Sequence, residues 1–215
     1  MKVYHYFRSS ASYRVRIALN LKNLPHELEQ IHLIKQGGEQ LQAAFRAINP
    51  DGLVPALVDD DGHIVTQSLA IIEYLDEIHP TPPLLPANAL DRAHVRAIAL
   101  QIACDIHPLN NLRVLRYLTN DLKVEEEAKN TWYRHWCEQG LAALETTLNK
   151  DARTGKFCFG DTPTLADCCL VPQIYNAKRL KSDLSGMPTL LRINEACLAL
   201  PEFARAVPEA QAEAE

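Results

Sequence analysis

The sequence has no run approaching the ~18 uninterrupted apolar residues of a membrane-spanning helix. It has no lopsided charge either. Lys and Arg number 22 against 27 Asp and Glu, and the formal net charge of −5 gives no global attraction for nucleic acid or an anionic membrane. The six cysteines (Cys104, Cys137, Cys158, Cys168, Cys169, Cys197) lack the spacing of a zinc site or a disulfide framework, and two of them are adjacent, which suits neither. They read as small apolar core residues in a reducing cytosol, and no metal site is expected. The opening residues Met-Lys-Val-Tyr-His-Tyr-Phe-Arg lack the apolar core and small-residue cleavage site of a secretory signal, so a cytoplasmic location is expected. Internal repeats are missing, and the one low-complexity stretch is the Ala/Glu tail from Glu209, expected to fray. What remains is ordinary globular composition, 47% hydrophobic and 23% charged over 215 residues, which is long enough for two cores.

Two regimes meet near residue 80. Residues 3–7 are aromatic-rich and β-prone, 13–22 carry helical spacing, and 27–33 read as a second, weakly patterned strand. Residues 39–48 look like a short helix ended by Asn49-Pro50. Residues 55–58 and 63–66 flank an Asp-Gly turn, a hairpin signal. Residues 68–78 follow as a helix with Ser68 as its natural N-cap. The order βαβαββα predicts a mixed sheet with helices on both faces for residues 1–80. Pro80, Pro82, Pro83 and Pro86 mark a stiff linker, and residues 88–215 read as an all-α domain. There, 90–119 predict one long helix bent at Pro108, 125–149 a second with Trp132 and Trp136 as a core stripe, and 164–178, 189–200 and 202–206 the rest.

Three segments carry chemistry. Arg8-Ser9-Ser10-Ala11-Ser12-Tyr13-Arg14 puts hydroxyls at a strand-to-helix junction, where exposed N–H groups and the helix dipole suit an anion such as a thiolate. Simple helix capping accounts for the serines equally well. In Asn49-Pro50-Asp51-Gly52-Leu53-Val54-Pro55, a cis Val54-Pro55 bond would turn the Val54 backbone toward a peptide-like ligand. Gln67-Ser68 places a polar pair at another helix N-terminus, suited to a carboxylate. By contrast, Thr164 and Asp167 have the spacing of a capping box and read as architecture.

The whole chain resembles the zeta-class glutathione transferases. The likeness is carried by Ser-Ser-x-Ser-x-Arg-Val-Arg-Ile-Ala-Leu at 9–19, Leu-Ile-Lys-x-Gly-Gly at 33–38, Val54-Pro55, Gln-Ser-x-Ala-Ile-Ile-Glu-Tyr-Leu at 67–75, Pro-Thr-Pro and Leu-Leu-Pro at 80–86, and Leu-Val-Pro-Gln at 170–173. It implies a thioredoxin-like N-terminal domain that binds glutathione, followed by an all-helical C-terminal domain that adds substrate contacts. Ser9 and Ser10 are the implied catalytic pair, with Ser9 holding the glutathione thiolate and Ala11, Ser12, Tyr13 and Arg14 lining the same turn. Gln67 and Ser68 would hold the γ-glutamyl end, Val54 the cysteinyl backbone, and Gln40 part of the glycine end. His107, Asn111, Leu112 and Arg113 are the implied contacts from the helical domain, although His107 fits a bend-filling role as well.

Ala11 stands where eukaryotic members carry cysteine, which leaves glutathione sulfur as the one nucleophile. Arg8 and Arg179 match arginines that would clamp the two carboxylates of a small unsaturated diacid; the alternative for Arg179 is a surface helix end. The implied activity is glutathione-dependent cis–trans isomerisation of maleylacetoacetate to fumarylacetoacetate in tyrosine and phenylalanine breakdown, with transferase side activity. Maleylpyruvate, or conjugation and dehalogenation of small α-halo acids, are the enzymatic alternatives, and a binding protein that has lost turnover is the non-enzymatic one. The resemblance also implies a homodimer.

Overall fold

The computed structural model describes residues 1–212 and 214. The chain forms two compact units, one of Met1–Leu84 joined by the chain from Leu198 onward, the other Leu85–Cys197. The break thus falls after Leu84, inside the proline-rich stretch, and the C-terminal segment packs with the first unit rather than the second.

The first unit holds a four-stranded sheet in the order β2-β1-β3-β4. Strand β1 (Lys2–His5) runs parallel to β2 (Glu27–Gln30) and antiparallel to β3 (Ala56–Val58), which pairs with β4 (Ile64–Thr66). Side chains alternate across a strand. Buried His5 accordingly meets Arg16 of helix α1 (Ser10–Leu21), while Tyr4 packs edge-on against Phe45 of α2 (Ala43–Arg46). Helices therefore cover both faces, as in thioredoxin. The hairpin turn follows its Asp-Gly signal. Asp59 accepts from the N–H groups of Asp61 and His63, and Tyr74 of α3 (Ser68–Ile78) donates to it at 2.7 Å.

Two local readings need correction. Residues 39–48 are not one helix: a 3₁₀ turn at Glu39–Leu41 gives way to extended backbone at Gln42 before α2 begins. Glu39 is drawn off by the His32 N–H, which it accepts at 2.6 Å. Ser68 is the first helical residue and not the cap of α3; the cap position belongs to Gln67, at φ 69° and ψ 118°. The stiff linker is pinned at its start, because buried Lys22 Nζ reaches the carbonyls of His79 (2.7 Å) and Pro82 (2.9 Å) and the Asp76 carboxylate (2.6 Å).

The second unit is helical. Helix α4 (Ala89–Leu100) does not continue as a bent rod to 119. It passes into a π turn at Gln101–Ile106 and a 3₁₀ turn at His107–Asn110 before α5 (Leu112–Asn120). Pro108 has no N–H for the preceding turn, and the loosening spreads ahead of it. The π turn also meets α6 (Glu126–Lys150) closely: a Cβ on Gly140 would fall 2.4 Å from Ile106 Cγ1. Tyr133, Cys137, Leu141, Leu144 and Leu148 form the buried stripe of α6, so Trp132 and Trp136 flank the core. Trp132 Nε1 donates to the Leu109 carbonyl at 2.8 Å.

Helix α7 (Leu165–Arg179) starts as its capping residues predict. The buried Asp167 carboxylate accepts from Thr164 N–H (2.7 Å), Thr164 Oγ1 (2.9 Å) and Cys158 N–H (2.8 Å). Glu145 likewise accepts from the first N–H groups of α8 (Pro188–Leu198). Five of the cysteines are buried, but Cys104 is exposed on the π turn. After α9 (Pro201–Ala204), Pro208–Ala210 form a 3₁₀ turn, so the tail is ordered at Glu209; its residues 213 and 215 lie outside the described residues.

Burial, helped by the Arg16 guanidinium and then His26, pushes the His5 pKa from its ordinary 6.5 down to about 3. Below pH 6.5 the unfolded chain takes up a proton that the folded ring refuses. The stabilising contribution is therefore complete above that pH and is lost as pH falls toward 3. Stability from urea titration should drop by about 2 kcal/mol between pH 7 and pH 5 through this ring alone. His5→Gln should remove that part, and an undiminished pH dependence in the variant would contradict the assignment.

Candidate active site

The turn from β1 into α1 places the serines. Ser9 lies in extended backbone at φ −68°, and its Oγ caps α1 by accepting the Ser12 N–H at 3.2 Å. A hydroxyl that accepts on a lone pair keeps its proton to donate elsewhere. Ser9 is half-buried, and Ser10, the first helical residue, is buried. The capping reading of Ser9 is thus met, and that bond does not use the hydroxyl proton. Ser12 is sealed inside, where its Oγ accepts the Tyr6 N–H at 3.4 Å. Tyr13 is also a core residue, and half-buried Ala11 sits between them and the start of the helix.

Buried Arg14 crosses to the third segment. Its Nη1 donates to Ser68 Oγ at 3.3 Å, joining the N-terminal turns of α1 and α3. Gln67, ahead of Ser68, is exposed and has a positive φ that L side chains rarely adopt. The Val54-Pro55 bond is cis, and Val54 belongs to a core cluster with Tyr6, Phe7, Phe45 and Ala56. Asn49 shapes the approach to it by donating to the Leu53 carbonyl at 2.7 Å and accepting the Asp51 N–H at 3.2 Å. Gln40 is buried beside Gly38, with Nε2 3.4 Å from the Leu33 carbonyl. Its Oε1 has no hydrogen-bond partner among the described residues. The first unit therefore brings together Ser9, Ser10, Arg14 and Ser68.

In the second unit, half-buried His107 opens the 3₁₀ turn and its Nε2 lies 3.2 Å from Asn111 Nδ2. Asn111 caps α5 through the Arg113 N–H at 3.0 Å; Leu112 is half-buried and Arg113 exposed. Asn110, which sequence reasoning passed over, is 9% exposed and has neither amide atom hydrogen-bonded among the described residues. Its only signal was a place in a His-Pro-Leu-Asn-Asn stretch. Arg16, also missed, stands out as a charged residue between Val15 and Ile17 in an otherwise apolar run.

Arg8 is half-buried with its guanidinium 4.8 Å from the Phe7 ring centre, a cation–π distance. Arg179 is exposed at the last turn of α7. Neither has a carboxylate partner among the described residues. No helix among the described residues is long and apolar enough to cross a membrane.

Residues 8–78 match the glutathione S-transferase N-terminal domain family, and residues 130–200 the C-terminal domain family. A probable maleylacetoacetate isomerase of Vibrio cholerae is 52% identical, over 99% of this chain and 97% of that protein. The holo structure of a maleylpyruvate isomerase, described as a bacterial zeta-class glutathione S-transferase, superposes with a TM-score of 0.96 at 48% identity, covering all of both chains. A maleylacetoacetate isomerase of Methylobacterium extorquens AM1, solved with malonate and glutathione bound, gives a TM-score of 0.96 at 42% identity, also over all of both chains. The chain belongs to the zeta class of the glutathione S-transferase family.

Proposed function

We propose that this protein is a glutathione-dependent cis–trans isomerase that converts maleylacetoacetate to fumarylacetoacetate. The observation that carries the reading is the Ser9 hydroxyl, which caps α1 as an acceptor and keeps its proton for an anion at the helix N-terminus. The residues present fit glutathione. Besides that donor, the buried Gln40 Oε1 has no protein partner among those described, and Ser68 stands at a second helix start.

When bound, glutathione would supply a thiolate nucleophile suited to reversible addition at an electron-poor cis double bond, and would be regenerated at the end of each turnover. Ser9 donates a hydrogen bond to that sulfur, and the α1 dipole favours its anionic form. Ser10 through Arg14 form the wall of the turn. Gln67 and Ser68 hold the γ-glutamyl carboxylate, the Val54 backbone pairs with the cysteinyl peptide, and Gln40 holds the glycine end. His107, Asn111, Leu112 and Arg113 are the proposed glutathione contacts of the helical unit. Arg8 and Arg179 are proposed to bind carboxylate groups of the diacid, consistent with neither having a carboxylate partner among the described residues. The relative solved with malonate, itself a small diacid, supports that chemistry.

Maleylpyruvate is the second reading, favoured by the relative named for it. We place the enzyme in the cytoplasm, in keeping with six cysteines that form no disulfide among the described residues. Turnover of both substrates should be measured with and without glutathione. Activity should require glutathione and leave its concentration unchanged; stoichiometric consumption would contradict an isomerase, and faster turnover of maleylpyruvate would select the second reading.

The arginine clamp separates an isomerase from a general transferase. Arg8→Ala or Arg179→Ala should remove a charge-assisted pair of about 1.5–3 kcal/mol, roughly a ten- to hundredfold loss in kcat/KM for the diacid. Glutathione affinity and conjugation of a neutral halogenated substrate should stay nearly constant. Equal losses on both substrates would refute the clamp.

The assembly is proposed as a symmetric homodimer. Exposed Leu90, Ala93, Ala97, Leu100 and Cys104 recur at helical spacing along α4 and the π turn, an apolar stripe left uncovered by the described residues. Light scattering at micromolar concentration should give about twice 24.1 kDa. A clean monomer would exclude the dimer.

A further inference from the structure

Arg16 has no place in the reading of the site above, yet it is 2% exposed. A guanidinium removed from water is costly unless its donors find acceptors, so the direction of those donors is informative. Nη2 donates to the Phe7 carbonyl at 2.9 Å, Nε donates to the Ala206 carbonyl at 3.0 Å, and Nη1 lies 3.3 Å from His5 Nδ1. Phe7 opens the turn that carries Arg8 and Ser9. Ala206 belongs to the segment that returns to the first unit after α8, and Asn20 Nδ2 holds the same segment through the Glu202 carbonyl at 2.8 Å.

We propose that Arg16 is a positioning residue for the thiolate site, tying the turn that bears Arg8 and Ser9 to the C-terminal segment. The seating of residues 201–206 then sets the aim of the Ser9 hydroxyl and of the first N–H groups of α1. The inference rests on the reading of Ser9 given above. A planar fork suits the task, because it holds Phe7 and Ala206 in fixed directions, whereas the single nitrogen of lysine does not. Sensitivity is expected, since a misplacement of about 1 Å in a reacting group can cost about a hundredfold in rate.

The test uses the full chain with Arg16→Lys and, separately, Asn20→Ala. Three quantities are read: the pH titration of bound thiolate by its ultraviolet absorbance, kcat and KM for maleylacetoacetate, and ligand-free amide hydrogen exchange across residues 9–13. Arg16→Lys should shift the thiolate titration to higher pH, lower kcat about tenfold, keep KM within about twofold, and speed exchange at 9–13. Asn20→Ala leaves Arg16 in place and loosens only the returning segment, so it should move the same readouts less far in the same direction. A merely structural role would lower the unfolding midpoint without moving the thiolate titration or kcat per folded molecule, and that result overturns the proposal. If Arg16→Lys does not fold, Asn20→Ala with wild-type titration and exchange overturns it equally. Wild-type protein that binds no glutathione would sink the cofactor reading instead, and exchange at residues 9–13 would then decide the positioning on its own.

Discussion

The first turn of α1 is the constraint around which the first unit is arranged. A helix start leaves four backbone N–H groups without intrahelical partners, and a site for an anion needs some of them still available. Ser9 takes one N–H and no more, and its own backbone is set by a bond from its N–H to the Tyr6 carbonyl at 3.0 Å. Ser12 reaches back to the Tyr6 N–H, Arg14 reaches Ser68, and at the other end Lys22 pins the chain after α3. Arg14, Arg16 and Asn20 of α1 each donate to a specific acceptor. The free end of the helix is thus held from several directions.

That arrangement explains why so many polar groups of α1 are buried. Ser10, Ser12, Arg14, Arg16 and Lys22 are all at or below 5% exposed, among Val15, Ile17, Ala18 and Leu19 at 0%. Apolar burial supplies cohesion without direction, whereas a guanidinium or ammonium bonded to named carbonyls fixes a register. The helical unit uses the same device in Asp167. Its pKa is raised, chiefly by burial, while three hydrogen bonds of 2.7–2.9 Å oppose the rise.

Much of this was legible in the residues. The βαβαββα order, the Asp-Gly hairpin and the Thr164/Asp167 start of α7 all rest on local signals that tertiary packing did not override. Where the reading failed, a longer-range demand won. Glu39 was counted as a helix residue but is held by the His32 N–H, and Ser68 looked like a cap but joins Arg14 while Gln67 takes the strained cap position. The run 90–119 has continuous helical spacing, yet Pro108 and the close approach of Gly140 to Ile106 divide it. At the site, the serines were visible as types at a junction. That Ser9 both caps and retains a donor depends on which atom faces Ser12, which spacing does not carry. Arg16 was quoted in a motif without a role because its partner Ala206 lies 190 residues away.

The fate of the chain's own thiols clarifies why a borrowed sulfur suits this fold. Nucleophilic strength requires thiolate, which forms near cations or helix N-termini and is suppressed by burial. Burial pushes the pKa values of Cys137, Cys158 and Cys197 up, and the Asp167 carboxylate adds to the effect at Cys158 and Cys197. These sulfurs are core atoms held protonated. The α1 turn itself carries no thiol, since Ala11 and its neighbours from Ser9 to Arg14 include no cysteine. The helix terminus, the Ser9 proton and the absence of a competing side-chain sulfur in the turn all favour an incoming thiol that binds as an anion and leaves as one. A protein nucleophile there would have to be regenerated within the same crowded turn, whereas a sulfur carried on a separately bound peptide can be aligned with the diacid by contacts distributed along its whole length.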